Sequence, residues 1–84
     1  MKMIRISAMW CMSCLIMLSR LDDLQTTYNL EFEDYDYDFD DITQFDVGDT
    51  LPVVLLMDKN NSICEKIVGE VSKKDLKSLL DKYQ

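Results

Sequence analysis

Cys11 and Cys14, in the run Trp10-Cys11-Met12-Ser13-Cys14, are the residues of this 84-residue chain whose type and spacing do chemistry. Two thiols at C-x-x-C spacing can close a disulfide ring, open it again, or clasp a soft metal. They stand between an apolar β-like run and an amphipathic helical one. A helix beginning there presents its positive N-terminal end to the first sulfur, which favours thiolate over thiol. Met9 extends the pattern to M-x-C-x-x-C, a ligand set soft enough for Cu(I) carried by Met9, Cys11 and Cys14. Histidine is absent, which excludes His-based triads and His-ligated zinc. The two glycines, Gly48 and Gly69, are too few for a phosphate-cradling loop.

The rest of the chain must position that pair. Its length fits one small domain spanning residues 1–84, and 48% apolar residues suffice for a core. A net charge of −7 argues against nucleic acid and anionic membrane surfaces as partners. Three cysteines are too few and too clustered for a secreted disulfide scaffold, so the pair reads as a redox or metal site in a reducing compartment. Lys2 followed by apolar residues through Leu18 imitates a signal peptide. Arg5 interrupts that run, however, and no small-residue cleavage site follows. The expectation is a cytoplasmic protein with no transmembrane span.

Residues 3–8 read as a buried strand. From about Cys14 a helical stripe follows, formed by Cys14, Met17, Leu18, Leu21, Leu24 and Tyr28 and ended by Asn29. Leu30 to Asp40 alternates apolar and acidic residues with a one-step slip at Glu33-Asp34. A bulge, or a loop followed by a strand, would explain the slip, with Tyr35 to Phe39 the firmer half. Asp41 to Val47 suits one helical turn with Asp41 as N-cap and Gly48 beyond its end. Leu51 to Met57 is a buried strand, Asp58 to Asn61 a turn, and Ser62 to Val68 the returning strand, broken by Gly69. Ser72 and Asp75 resemble a capping box, Val71 can staple onto Leu76, and Leu76, Leu79, Leu80 and Tyr83 form the last helical face. The predicted class is α/β: a four-stranded mixed sheet in the order β-α-β-short α-β-β-α, flanked by helices, with the first two strands parallel.

With these elements in place the sequence resembles the thioredoxin-like family. The matching features are W-C-M-S-C at a strand-to-helix junction, Leu51-Pro52 opening the third strand, and Gly69 before the last helix. The likeness runs from Met3 to the C-terminus and implies a minimal, glutaredoxin-sized thioredoxin-like fold without the additional N-terminal strand and helix. It further implies thiol–disulfide oxidoreductase activity without a cofactor or metal. Cys11 would be the nucleophile and Cys14 the resolving thiol. Pro52 would be a cis-proline beside the disulfide, and Trp10, Met12, Ser13 and Leu51 would contact substrate. Implied partners are disulfide-containing proteins or small thiols, and an electron donor such as a thioredoxin reductase or glutathione. Two other readings stand beside it. One is the Cu(I) carrier, although metal-carrier domains of that pattern run βαββαβ and end on a strand. The other is a non-enzymatic redox adaptor of the same fold.

The chain departs from the family's pattern in two places. Arg5 occupies the position six residues before Cys11 where thioredoxins carry a buried acid. The family's partner lysine would fall near Asp36, which suggests a charge pair with its signs exchanged. A cation close to the dithiol would lower the Cys11 pKa and make the disulfide more oxidising. Met12-Ser13 also replaces the usual Gly-Pro. Met9 and Met12 could form a pliable apolar rim, Cys64 reads as a small buried hydrophobe, and the Glu31–Asp49 acids read as a solvated face.

Overall fold

The computed structural model describes residues 1–83. Two buried runs, β1 (Lys2–Ser7) and β3 (Val53–Met57), lie at the centre of a sheet with strand order β2-β1-β3-β4. β2 (Glu31–Asp36) runs parallel to β1, while β3 is antiparallel to both β1 and β4 (Ile63–Val68). The β3–β4 turn forms because Asp58 captures the backbone N–H groups of Asn60 and Ser62 with one carboxylate oxygen. Gly69, at φ +84, ends β4 in a conformation that L side chains rarely adopt. The predicted α/β class and mixed four-stranded sheet are what the structure contains.

Strand alternation divides the core between the two faces of the sheet. Met3, Val54, Leu56 and Ile67 face the helices, against Met17, Leu21 and Leu24 of α1 (Met12–Tyr28) and Leu76 and Leu80 of α2 (Lys73–Lys82). Ile4, Ile6, Val53 and Leu55 face the other way and are covered by the segment carrying Tyr37, Ile42, Phe45, Val47 and Leu51. Asn29, left-handed at φ 53, stops α1. Ser72 caps α2 by accepting the N–H of Asp75 at 3.2 Å, as its capping-box sequence predicts.

Between β2 and β3 the sequence reading needs correction. The strand ends at Asp36, so its secure half is Glu31–Asp36 and not Tyr35 to Phe39. Its pairing with β1 is continuous from Lys2↔Glu31 to Ser7↔Asp36, without a bulge. The slip in the pattern has another cause: Phe32 packs on the helix face and Tyr35 on the opposite one. After Asp36 the chain turns, because the Asp36 carboxylate accepts the N–H groups of Asp38 and Phe39 and so competes with a strand ladder. The helical turn shrinks to a 3₁₀ turn, Thr43–Phe45. Its N-cap is Ile42, not Asp41, whose carboxylate instead accepts from the Thr43 N–H and hydroxyl. Left-handed Asp46, at φ 51, ends the turn before Gly48 is reached.

Candidate active site

Cys11 is the N-cap of α1, an extended residue at φ −95 and ψ 103. Ala8 fixes it there through its carbonyl, which accepts the Cys11 N–H at 3.1 Å. Its Sγ takes the place usually filled by a serine or aspartate oxygen and accepts the Cys14 N–H at 3.2 Å. A sulfur so placed receives one of the helix's unpaired N–H groups and the positive end of its dipole, and both stabilise negative charge on it. One helical turn carries Cys14 round to the same point, with the Cα atoms 5.2 Å apart and the two sulfurs joined as a disulfide. The pair is asymmetric. Cys14 is fully buried while Cys11 keeps 7% of its surface, so only Cys11 is open to attack from outside.

The walls come from three other segments. Ala8, Tyr37 and Leu51 form one apolar cluster with Cys11 and Cys14. The Leu51–Pro52 peptide bond is cis, Pro52 is buried, and its carbonyl accepts the Gly69 N–H at 2.8 Å, which ties the start of β3 to the end of β4. Tyr37 donates its N–H to the Ser7 carbonyl, which holds the turn after β2 beside the end of β1. Trp10 and Met12 project into solvent on either side of Cys11, and Ser13 is half-buried behind them. Trp10 nevertheless has a fixed partner, because its Nε1–H donates to Asp38 Oδ2 at 2.7 Å.

Arg5 is arranged differently from the sequence expectation. The parallel register sets Asp34 opposite Arg5 and Asp36 opposite Ser7, so the anticipated Arg5–Asp36 pair is not formed. The guanidinium makes two hydrogen bonds to Asp34, at 2.6 and 2.9 Å, and a third to Asp22 of α1 at 2.9 Å. It stacks 3.7 Å over the Phe32 ring. Burial disfavours its charge, but the hydrogen bonds to Asp34 and then Asp22 outweigh that penalty and raise its pKa. Two carboxylates therefore neutralise the cation on the helix face of the sheet. Asp22 was missed because nothing in the α1 stripe marks an acid on its exposed side as a strand partner. Asp38 was missed because it lay within a segment read as strand. Its only sequence signal was the local Asp-x-Asp spacing that favours turns.

The order and geometry are those of a known architecture. The fold is thioredoxin-like. A solved thioredoxin-2, described as a component of malaria parasite protein secretion machinery, superimposes with a TM-score of 0.83 at 27% identity, covering 96% of this chain and 81% of that one. A second solved malarial protein gives a TM-score of 0.80 at 26% identity, over 96% of this chain and 93% of its own. No family model and no curated protein match the chain. With this thioredoxin-like frame and a disulfide-forming C-x-x-C pair, a thiol-redox role follows in general terms. No described helix is long and apolar enough to cross a membrane.

Proposed function

We propose that the protein is a thiol–disulfide oxidoreductase, with Cys11 as nucleophile and Cys14 as resolving thiol. The observation that carries this reading is the asymmetric pair on the first turn of α1, with Cys11 Sγ as the helix cap and Cys14 buried behind it. The Cys11 thiolate attacks one sulfur of a substrate disulfide and expels the other as thiolate, forming a mixed disulfide. Cys14 loses its proton and attacks Cys11 Sγ, which releases the second substrate sulfur and closes the Cys11–Cys14 ring. Two electrons pass from the dithiol to the substrate, whose two thiolates take up the two protons. Pro52 and Leu51 line the site, and Trp10, Met12 and Ser13 contact the incoming chain. Substrates are disulfide-bearing proteins or the disulfides of small thiols in the cytoplasm. An external thiol donor, such as a thioredoxin reductase or glutathione, returns the disulfide to dithiol.

The test is trapping with a peptide disulfide. Reduced wild type should convert the peptide to free thiol and become oxidised itself. Cys14→Ser should stall as a covalent adduct, detected by mass, and Cys11→Ser should form none. Wild type that leaves the peptide intact, or adduct formation by Cys11→Ser alone, would refute the assignment. Stoichiometric Cu(I) uptake without any exchange would favour the carrier instead.

A further inference from the structure

The dithiol sits inside a collar of exposed apolar side chains. Met9 is 81% exposed, Trp10 66% and Met12 70%, and Leu15 and Ile16 continue the exposed surface along α1. A contiguous patch of this kind marks a contact surface, and methionine adapts its shape to varied partners. Its chemical complement is set by what borders it. Between Glu31 and Asp49 the sequence places nine acids and no base, whereas the other seven acids share the remaining chain with all nine Lys and Arg residues. That segment therefore carries −9 against +2 for the rest of the chain. Its Glu33 and Asp34 meet Lys2 and Arg5 along β2, whereas the stretch from Asp36 onward lies at the end of the sheet that holds the dithiol.

Four contacts place it there. Tyr37 and Leu51 pack against Cys11 and Cys14. The Tyr37 hydroxyl reaches the Gly48 carbonyl at 3.4 Å, and Asp38 holds the Trp10 indole at 2.7 Å. Among the described residues, Arg5 is taken by Asp22 and Asp34, Lys2 by Glu33, Arg20 by Glu70 and Lys73 by Asp23. Lys66 reaches only the Asp46 backbone carbonyl. No Lys or Arg pairs with Asp36, Asp38, Asp40 or Asp49 among these residues, so no cation neutralises their charge there.

We propose that this collar docks a cationic protein segment, one in which lysine or arginine flanks the cysteine of the disulfide to be exchanged. This inference rests on the exchange reading above and adds a substrate class to it. The apolar centre desolvates the reacting sulfurs, and the anionic rim steers basic segments in and repels acidic ones.

Three peptide disulfides differing only in Lys, Gln or Glu beside the cysteine provide the test. Each rate with the DTT-reduced protein is divided by the rate with β-mercaptoethanol, a neutral thiol, to remove the peptide's intrinsic reactivity. The corrected Lys-to-Glu ratio should be about tenfold or more in about 20 mM salt and fall to within about twofold in about 0.5 M salt. Asp40→Asn with Asp49→Asn should cut the low-salt ratio several-fold. Asp23→Asn with Asp75→Asn, which removes the same charge from the helical side, should leave it in place. A Lys-to-Glu ratio near one, or equal losses in the two double variants, would overturn the docking proposal while leaving exchange intact. If none of the three peptides is reduced, the exchange reading fails and the docking proposal falls with it.

Discussion

The indole of Trp10 and the carboxylate of Asp38 are joined by a 2.7 Å hydrogen bond across 28 residues of sequence. It links the residue preceding Cys11 to the turn that follows β2. That turn is itself held by carboxylates, since Asp36 caps Asp38 and Phe39 and Asp40 accepts the Asp36 N–H at 2.7 Å. The exposed aromatic beside Cys11 is thereby given a fixed partner.

Removing the acceptor should free the indole. Trp10 is the chain's one tryptophan, so fluorescence reports on it directly. In Asp38→Ala, steady-state anisotropy should fall and acrylamide quenching should rise, while global stability drops by about 1 kcal/mol or less, as expected for an exposed hydrogen bond. Asp38→Asn keeps an acceptor oxygen and should restore most of the anisotropy. Equal anisotropy in wild type and Asp38→Ala would mean that the bond does not hold the ring.

Arg5 should matter for folding more than for the thiol. Its charge is matched by Asp22 and Asp34, and its planar group covers Phe32. Arg5→Ala removes both the packing and the ion pairs and should cost about 2–4 kcal/mol, measured by urea denaturation. Arg5→Met keeps the apolar stem and should cost less. In both, the pH profile of Cys11 alkylation should stay within about half a unit of wild type, because a neutralised cation contributes little field. A shift beyond one unit in Arg5→Met would return Arg5 to the mechanism.

The difference between what sequence could and could not show is clearest along β2. Continuous apolar runs placed β1 and β3, which are buried on both faces, and turn residues bounded β4. The 3.6-residue period placed α1 and α2, each burying one stripe, such as Met17, Leu21 and Leu24 in α1. β2 has partly buried residues on both faces, so its pattern carried two phases and was extended too far. The dithiol was legible because its spacing is local. Its surroundings were not: which acid meets Arg5 depends on the β1–β2 register, and which acid meets Trp10 depends on where the strand stops. Both are decided by long-range packing, which leaves no periodic trace.

The α1 stripe makes a prediction of its own. Leu21 is fully buried between the sheet and α2, whereas Leu15 lies off the stripe and is about half exposed. Leu21→Ala should cost about 2–5 kcal/mol by chemical denaturation, through lost transfer energy and the cavity left behind. Leu15→Ala should stay within about 0.5 kcal/mol of wild type. Comparable losses at the two sites would contradict the orientation of α1 on the sheet.

Alkaline pH should expose the tie between α2 and β4. The Tyr83 hydroxyl lies 2.6 Å from Glu65 Oε2 and 3.1 Å from the Cys64 carbonyl. The hydrogen bond to Glu65, followed by burial and the nearby negative charge, pushes its pKa up from 10.0 to about 12. A pKa raised in the folded state means that the unfolded chain loses this proton first. The stability Tyr83 contributes is therefore whole below pH 10 and is lost as pH climbs through 12. Tyr28 beside Asp81 and Tyr35 beside Glu33 are shifted in the same direction and add to the slope. Urea midpoints should fall between pH 10 and 12 in wild type. Tyr83→Phe should start lower near neutral pH and decline less steeply, so that the two curves converge. Parallel curves across that range would show that the Glu65–Tyr83 bond does not couple folding to this proton.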